Sequence, residues 1–129
     1  RVVEVLRRWA RKDAPNVIAL AADFTQPLDL PGLGAAQLDG MLLANALHFV
    51  PEGEAVLRRL VERVRPGGRL VVVEYDQRTA SRWVPAPIPP ARLAQLAAAV
   101  HLSAPTITRT RPSAFGGTLY VAVTERLPD

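Results

Sequence analysis

The sequence predicts an α/β fold: a doubly wound, mostly parallel sheet with helices on both faces and a C-terminal antiparallel hairpin. Three observations predict it. Segments with helical spacing alternate with short apolar runs. One such run, "RLVVVEY" at 69–75, lacks polar alternation, as a strand covered on both faces would. Near the C-terminus, "TITRTR" (106–111) and "TLYVAVTE" (118–125) flank the Gly-containing "PSAFGG", a hairpin pattern.

The elements follow in order. "VVEVLRRWARK" (2–12) places Val2, Val3, Leu6, Trp9 and Ala10 on one helical face, and Asp13, Pro15 and Asn16 end that helix. "VIALAAD" (17–23) is short, apolar and β-branched at its start, and reads as a buried strand ending near Ala22. The Pro/Gly-rich "FTQPLDLPGLGAAQ" is a connection with room for one helical turn around Leu33 to Gln37. A second strand is expected near Gly40 to Ala44. "EGEAVLRRLVERV" is helical with Val56, Leu57, Leu60, Val61 and Val64 inward, and Pro66-Gly67-Gly68 should stop it before the strand at 69–75. A loop with four prolines (76–90) leads to a helix at 91–100, with Leu93, Leu96, Ala97 and Val100 inward.

Composition narrows the function classes. A chain of 129 residues is one domain in size. There is no cysteine, so disulfides and thiolate metal sites are excluded, and a cytoplasmic location is the expectation. No apolar run reaches the roughly 18 residues of a membrane span. The net charge is +4, and every basic residue except Lys12 is arginine. Glu4 and Arg8, and Glu54 and Arg58, are spaced as on solvated helix faces, and aromatic residues do not interleave with the arginines. Nucleic acid is therefore not the expected partner, and a small-molecule substrate is.

Several strand ends carry polar groups: Asp23 after the first apolar run, Asn45 and then His48 after the second, and Glu74-Tyr75-Asp76 after the third. Ligands in open α/β sheets bind outside the carboxyl ends of the strands. Each acid reads either as a helix-capping loop residue or as an acceptor for an amine or hydroxyl. His48 reads either as a packed histidine bonded to backbone or as a general base. No metal site is expected, because neither His48 nor His101 has an acid at ligand spacing. Trp83 and the prolines of 84–90 read either as a surface excursion or as a wall over a substrate pocket.

The succession "AADFTQPL", "LDGMLLANALHFV", "LRRLVERVRPGGRLVVVEYD" and "TLYVAVTE" resembles the class I S-adenosylmethionine-dependent methyltransferases over nearly the whole chain. The resemblance implies methyl transfer to a small molecule, with S-adenosyl-L-methionine as cofactor. It implies that Asp23 accepts from the adenine amino group and Phe24 flanks the ring. Ala44 and Asn45 would line the methionine moiety, and His48 would face the mouth of the active site. Glu74, Tyr75 and Trp83 are the implied substrate-side residues, and the loops at 76–90 and 112–117 would set the acceptor. The Gly-rich loop and the ribose-binding acid of the family's first two strands do not occur. The chain then corresponds to roughly the C-terminal two-thirds to three-quarters of such a domain, lacking about 40 residues. Those two strands would separate "VIALAAD" from the next strand, so it would have no sheet neighbour here. The resemblance therefore implies pairing with a preceding segment or another chain. Two other readings stay open. A short-chain nicotinamide-dependent reductase also places an acid after its third strand, but Tyr75 and Tyr120 are followed four positions on by Thr79 and Thr124, not lysine. A non-catalytic, methyltransferase-like interaction module would explain the missing Gly-rich loop.

Overall fold

A computed structural model describes residues 1–129. Its elements are α1 (Val2–Asp13), β1 (Leu38–Ala44), a 3-10 turn (Leu47–Phe49), α2 (Gly53–Glu62), β2 (Val64–Asp76), α3 (Pro90–Ala99), β3 (Thr106–Pro112) and β4 (Thr118–Glu125). One sheet in the order β1-β2-β4-β3 joins the four strands. β1 and β2 are parallel, with Met41 opposite Leu70 and Ala44 opposite Val73. β2 and β4 are antiparallel, with Glu74 opposite Tyr120, and β3 and β4 form the expected closing hairpin. The sheet is thus mixed, with its parallel part reduced to a single pair.

That reduction follows from residues 17–23, which form no strand. The segment has no ladder partner, and Val17, Ile18 and Leu20 are exposed. An apolar β-branched run becomes a strand only where another edge satisfies its backbone groups. The buried strand expected at 17–23 is therefore corrected to an exposed, unpaired segment.

Core packing takes one face of the sheet. Along β2, Leu70, Val72 and Glu74 are buried, while Val71, Val73 and Tyr75 are only partly covered. The buried side meets Val56, Leu57, Leu60 and Val61 of α2 and Leu93, Leu96 and Ala97 of α3 in one apolar cluster. The opposite face carries no such cluster, and Leu42 on that side is 64% exposed. The expected cover on both faces of "LVVV" is therefore corrected to cover on one.

Pro66-Gly67-Gly68 has a different task from the expected one. α2 already ends at Glu62, and the three residues lie inside β2. There the register jumps from Leu38–Val64 to Gly40–Arg69, so β2 bulges away from β1. Gly67 takes a φ of +78°, which glycine adopts without strain. A Cβ on Gly68 would lie 2.5 Å from Val64 Cγ1 and 2.8 Å from the carbonyl oxygens of Arg65 and Asp39. α3 opens with Pro90 at its first position, where a missing N–H costs nothing.

Candidate active site

The site lies at the carboxyl ends of β1 and β2. β1 delivers Asn45, whose N–H continues the ladder to Val73 O (2.9 Å) before its φ of +52° turns the chain. The 3-10 turn follows, anchored by the fully buried Leu47, and brings His48 over the end of β2. There Glu74 lies on the buried face, 0% exposed, beside the cross-strand Tyr120.

Two sequence candidates meet directly. His48 Nδ1 is 2.7 Å from Glu74 Oε1, and the His48 backbone N–H donates to Oε2 (3.2 Å). His48 is itself only 3% exposed. Burial pushes the Glu74 carboxyl above the ordinary glutamate value, and the hydrogen bonds from His48 oppose that push. With Nδ1 facing the acid, the ring is fixed in orientation and Nε2 is its remaining nitrogen. Arg63 Nε is the one buried side-chain polar atom without a partner, so Nε2, which also makes no hydrogen bond, is reached from solvent. The expected role of Glu74 as a substrate contact is corrected: both its oxygens are turned to His48, and none of its surface reaches the cleft.

A cleft of about 530 Å³ opens over this pair, lined by Asn45, His48, Phe49, Tyr75, Arg78, Trp83, Val84 and Phe115. Its volume suits a small-molecule ligand. The loop 77–89 is fastened to the turn by Ala86 N–H donating to His48 O (2.9 Å). Val84, 2% exposed, seats the same loop, and Ser81 Oγ accepts from the Trp83 and Val84 N–H groups. Tyr120 Oη donates to Ile88 O (2.5 Å) farther along. Burial, and then the charges of Glu74 and Asp76, raise the Tyr120 hydroxyl above its ordinary value, so it stays a neutral donor.

Of the sequence candidates, Asn45, His48, Tyr75 and Trp83 line this cleft, and Glu74 stands behind His48. Asp23 and Phe24 do not join them. Asp23 is exposed, and its Oδ1 accepts from the Thr25 N–H (2.9 Å) and Oγ1–H (2.6 Å). Those bonds hold its carboxyl below the usual range. Phe24 packs at the border of the core and lines a smaller cleft of about 160 Å³ with Leu28, Arg59 and Arg63. Arg59 donates to Thr25 O and so closes the Asp23 turn onto α2. Ala44 is exposed at the end of β1 and lines neither cleft. Phe49, Arg78, Val84 and Phe115 were not singled out from sequence. Phe49 adjoins His48, but Arg78 and Phe115 sit in loops without periodicity, and only the fold brings them together.

No group of three or more His, Asp or Glu side chains is placed to hold a metal ion. No helix is long and apolar enough to cross a membrane.

No family model matches the chain. A 69-residue stretch, 53% of the chain, is 29% identical to highly reducing polyketide synthase 2 of Gibberella zeae, and covers 3% of that protein. Among solved structures, the chain is similar to a 1,6-didemethyltoxoflavin-N1-methyltransferase of Burkholderia thailandensis with bound 1,6-didemethyltoxoflavin and S-adenosylhomocysteine. The TM-score is 0.75 and the identity 22%, over 95% of this chain and 56% of that one. It is also similar to the O-methyltransferase NcsB1 of neocarzinostatin biosynthesis, in complex with S-adenosylhomocysteine and 1,4-dihydroxy-2-naphthoic acid. There the TM-score is 0.65 and the identity 21%, over 95% of this chain and 38% of that one. The chain thus spans little more than half of the first structure's length and less than half of the second's. Over nearly its whole length, the chain has the fold of S-adenosylmethionine-dependent methyltransferases.

Proposed function

We propose that the protein containing this chain transfers a methyl group from S-adenosylmethionine to a small-molecule acceptor, and that His48 is its general base. The observation that carries the reading is the buried His48–Glu74 pair opening on an aromatic cleft at the strand ends of a methyltransferase fold. The two structural neighbours hold 1,4-dihydroxy-2-naphthoic acid or 1,6-didemethyltoxoflavin together with S-adenosylhomocysteine, which supports a small-molecule acceptor.

The residues present fit the cofactor in kind. Asp23 Oδ2 is an exposed acceptor without a partner, suited to an amino group, and Phe24 beside it offers a ring to flank a purine. Asn45 presents a strand-end backbone and an amide toward the cleft, and Ala44 adds no bulk beside it. When bound, S-adenosylmethionine would supply an electrophilic methyl group at the mouth of this cleft. The chain's own residues align the acceptor and exclude water. Phe49, Tyr75, Trp83 and Phe115 wall the acceptor, and His48 Nε2 accepts the proton that the acceptor atom loses. Glu74 holds the ring with Nε2 toward the acceptor and stabilises the imidazolium that results.

The test is turnover in the full-length protein with labelled S-adenosylmethionine and a panel of small phenols and heteroaromatic amines. His48→Ala should lower turnover by roughly 10²- to 10⁴-fold while leaving S-adenosylhomocysteine binding intact. His48→Asn, which keeps an amide donor toward Glu74, should fold and be equally impaired. Undiminished turnover removes His48 from catalysis. Calorimetric binding of a nicotinamide dinucleotide in place of S-adenosylhomocysteine would sink the methyltransferase reading itself.

A further inference from the structure

Arg78 is the one cation in the cleft whose charge nothing nearby neutralises. Its guanidinium lies over the Tyr75 ring, 4.8 Å from the centroid. Nη1 donates to Phe115 O (2.6 Å) and Gly116 O (3.2 Å), tying the loop after β2 to the hairpin loop between β3 and β4. These contacts fix the side chain but use only one of its nitrogens. Nε and Nη2, the two that form a parallel fork, make no hydrogen bond. No carboxylate lies within ion-pair distance of Arg78. Of the nearest acids in sequence, Asp76 makes no ion pair and accepts from Gln77 N–H through Oδ1, and both oxygens of Glu74 face His48. The cleft thus combines a half-buried, oriented, unneutralised guanidinium, walls of Phe49, Trp83 and Phe115, and a histidine nitrogen open to a proton donor.

We propose that Arg78 determines acceptor specificity, and that the acceptor is an aromatic hydroxy acid whose carboxylate docks on the Nε/Nη2 fork while its hydroxyl meets His48. The assignment rests on the methyl-transfer reading for the role of the hydroxyl, but its recognition element is independent of it. A planar ring fits the aromatic walls. A carboxylate matches the fork with two parallel charge-assisted hydrogen bonds, which a lysine in the same place could not form. The substrate would also supply the anion that the chain itself does not.

Equilibrium binding to the full-length protein tests this without turnover. The probes are 3-hydroxy-2-naphthoate and 2-naphthol, fluorescent ligands that share ring and hydroxyl and differ in the carboxylate. The expected result is tighter binding of the hydroxynaphthoate by at least about tenfold, in line with hydrogen bonds to a charged group. Arg78→Met should abolish that preference, and Arg78→Lys should retain part of it. If Arg78 only fastens the two loops, Arg78→Met weakens both ligands alike and the preference survives, which overturns the proposal. Equal affinity for the two ligands in the wild type, or no binding of either, also overturns it. His48-dependent methylation of 2-naphthol together with equal affinities would refute the Arg78 assignment alone and leave methyl transfer standing.

Discussion

His48 and Glu74 are 26 positions apart in sequence, yet two hydrogen bonds join them inside the protein. Each was recognisable singly, as a polar residue at a strand end. Their pairing was not, because it depends on the parallel register that sets Ala44 beside Val73. Asp23 shows the converse. Its position after an apolar run left it open as a capping acid or an acceptor, and the resemblance implied a cofactor contact; the bonds of Oδ1 to Thr25, two residues on, were not legible in either. The pair has a consequence for stability. Because burial raises Glu74 above the ordinary value of 4.5, the folded chain keeps that proton to higher pH than the unfolded chain does. The stability contributed by Glu74 is therefore full below pH 4.5 and is lost as pH rises through the raised value. Asp23, held low by Thr25, works in the opposite sense: its contribution is present above the ordinary value of 3.8 and falls away in stronger acid. Urea unfolding of the wild type and Glu74→Gln from pH 4 to 8 isolates the first effect. The variant should gain on the wild type as pH rises. A stability difference independent of pH would show that Glu74 titrates at its ordinary value.

At the scale of elements, the sequence marked the two helices of the core and the closing hairpin because each has its own period. The inward residues expected for α2 and α3 are all buried, although Val64 opens β2 and Val100 caps α3 instead of lying within the helices. Pro66-Gly67-Gly68 was legible as a break but not as a bulge. A helix stop and a bulge use the same residues, and only the strand partner distinguishes them. The bulge explains why two adjacent glycines are needed. Gly67 supplies the positive φ, and Gly68 supplies the space against Asp39 O and Arg65 O. The returning chain uses the same corner, since Gly67 N–H donates to Arg126 O (2.8 Å) and Arg126 N–H to Gly68 O (2.9 Å). Backbone oxygens cannot move aside as a side-chain tip can. Gly68→Ala should therefore cost roughly 1–3 kcal/mol, as overpacking does. Thermal melts would show this as a lower midpoint. An unchanged midpoint would mean that β1 and β2 separate at the bulge without loss.

For the molecule as a whole, cohesion is uneven. The sheet, α2 and α3 share one core, and every strand but β3 contributes buried side chains to it. α1 does not take part. Ala10 is its one buried residue, while Val2, Leu6 and Trp9 remain exposed along the apolar face that made it recognisable as a helix. One side-chain bond leaves the helix for the rest of the chain, from Arg7 Nε to Ala19 O (3.1 Å), and it ends on the unpaired segment 17–23. Amphipathic spacing thus reported the element faithfully but not what its apolar face would meet, because that partner is set by tertiary structure. Helices of this length gain most of their stability from packing such a face. The amides of α1 should consequently open without unfolding of the sheet, whereas those of β2, paired on both sides, should open only with the core. Native-state hydrogen exchange on this chain should find protection in α1 lower than in residues 70–74 by a factor on the order of 100 or more. Denaturant at concentrations that leave β2 protection unchanged should erase the remainder in α1. Equal protection in the two elements would require the apolar face of α1 to be covered in solution, and would show that the helix belongs to the same cooperative unit as the sheet.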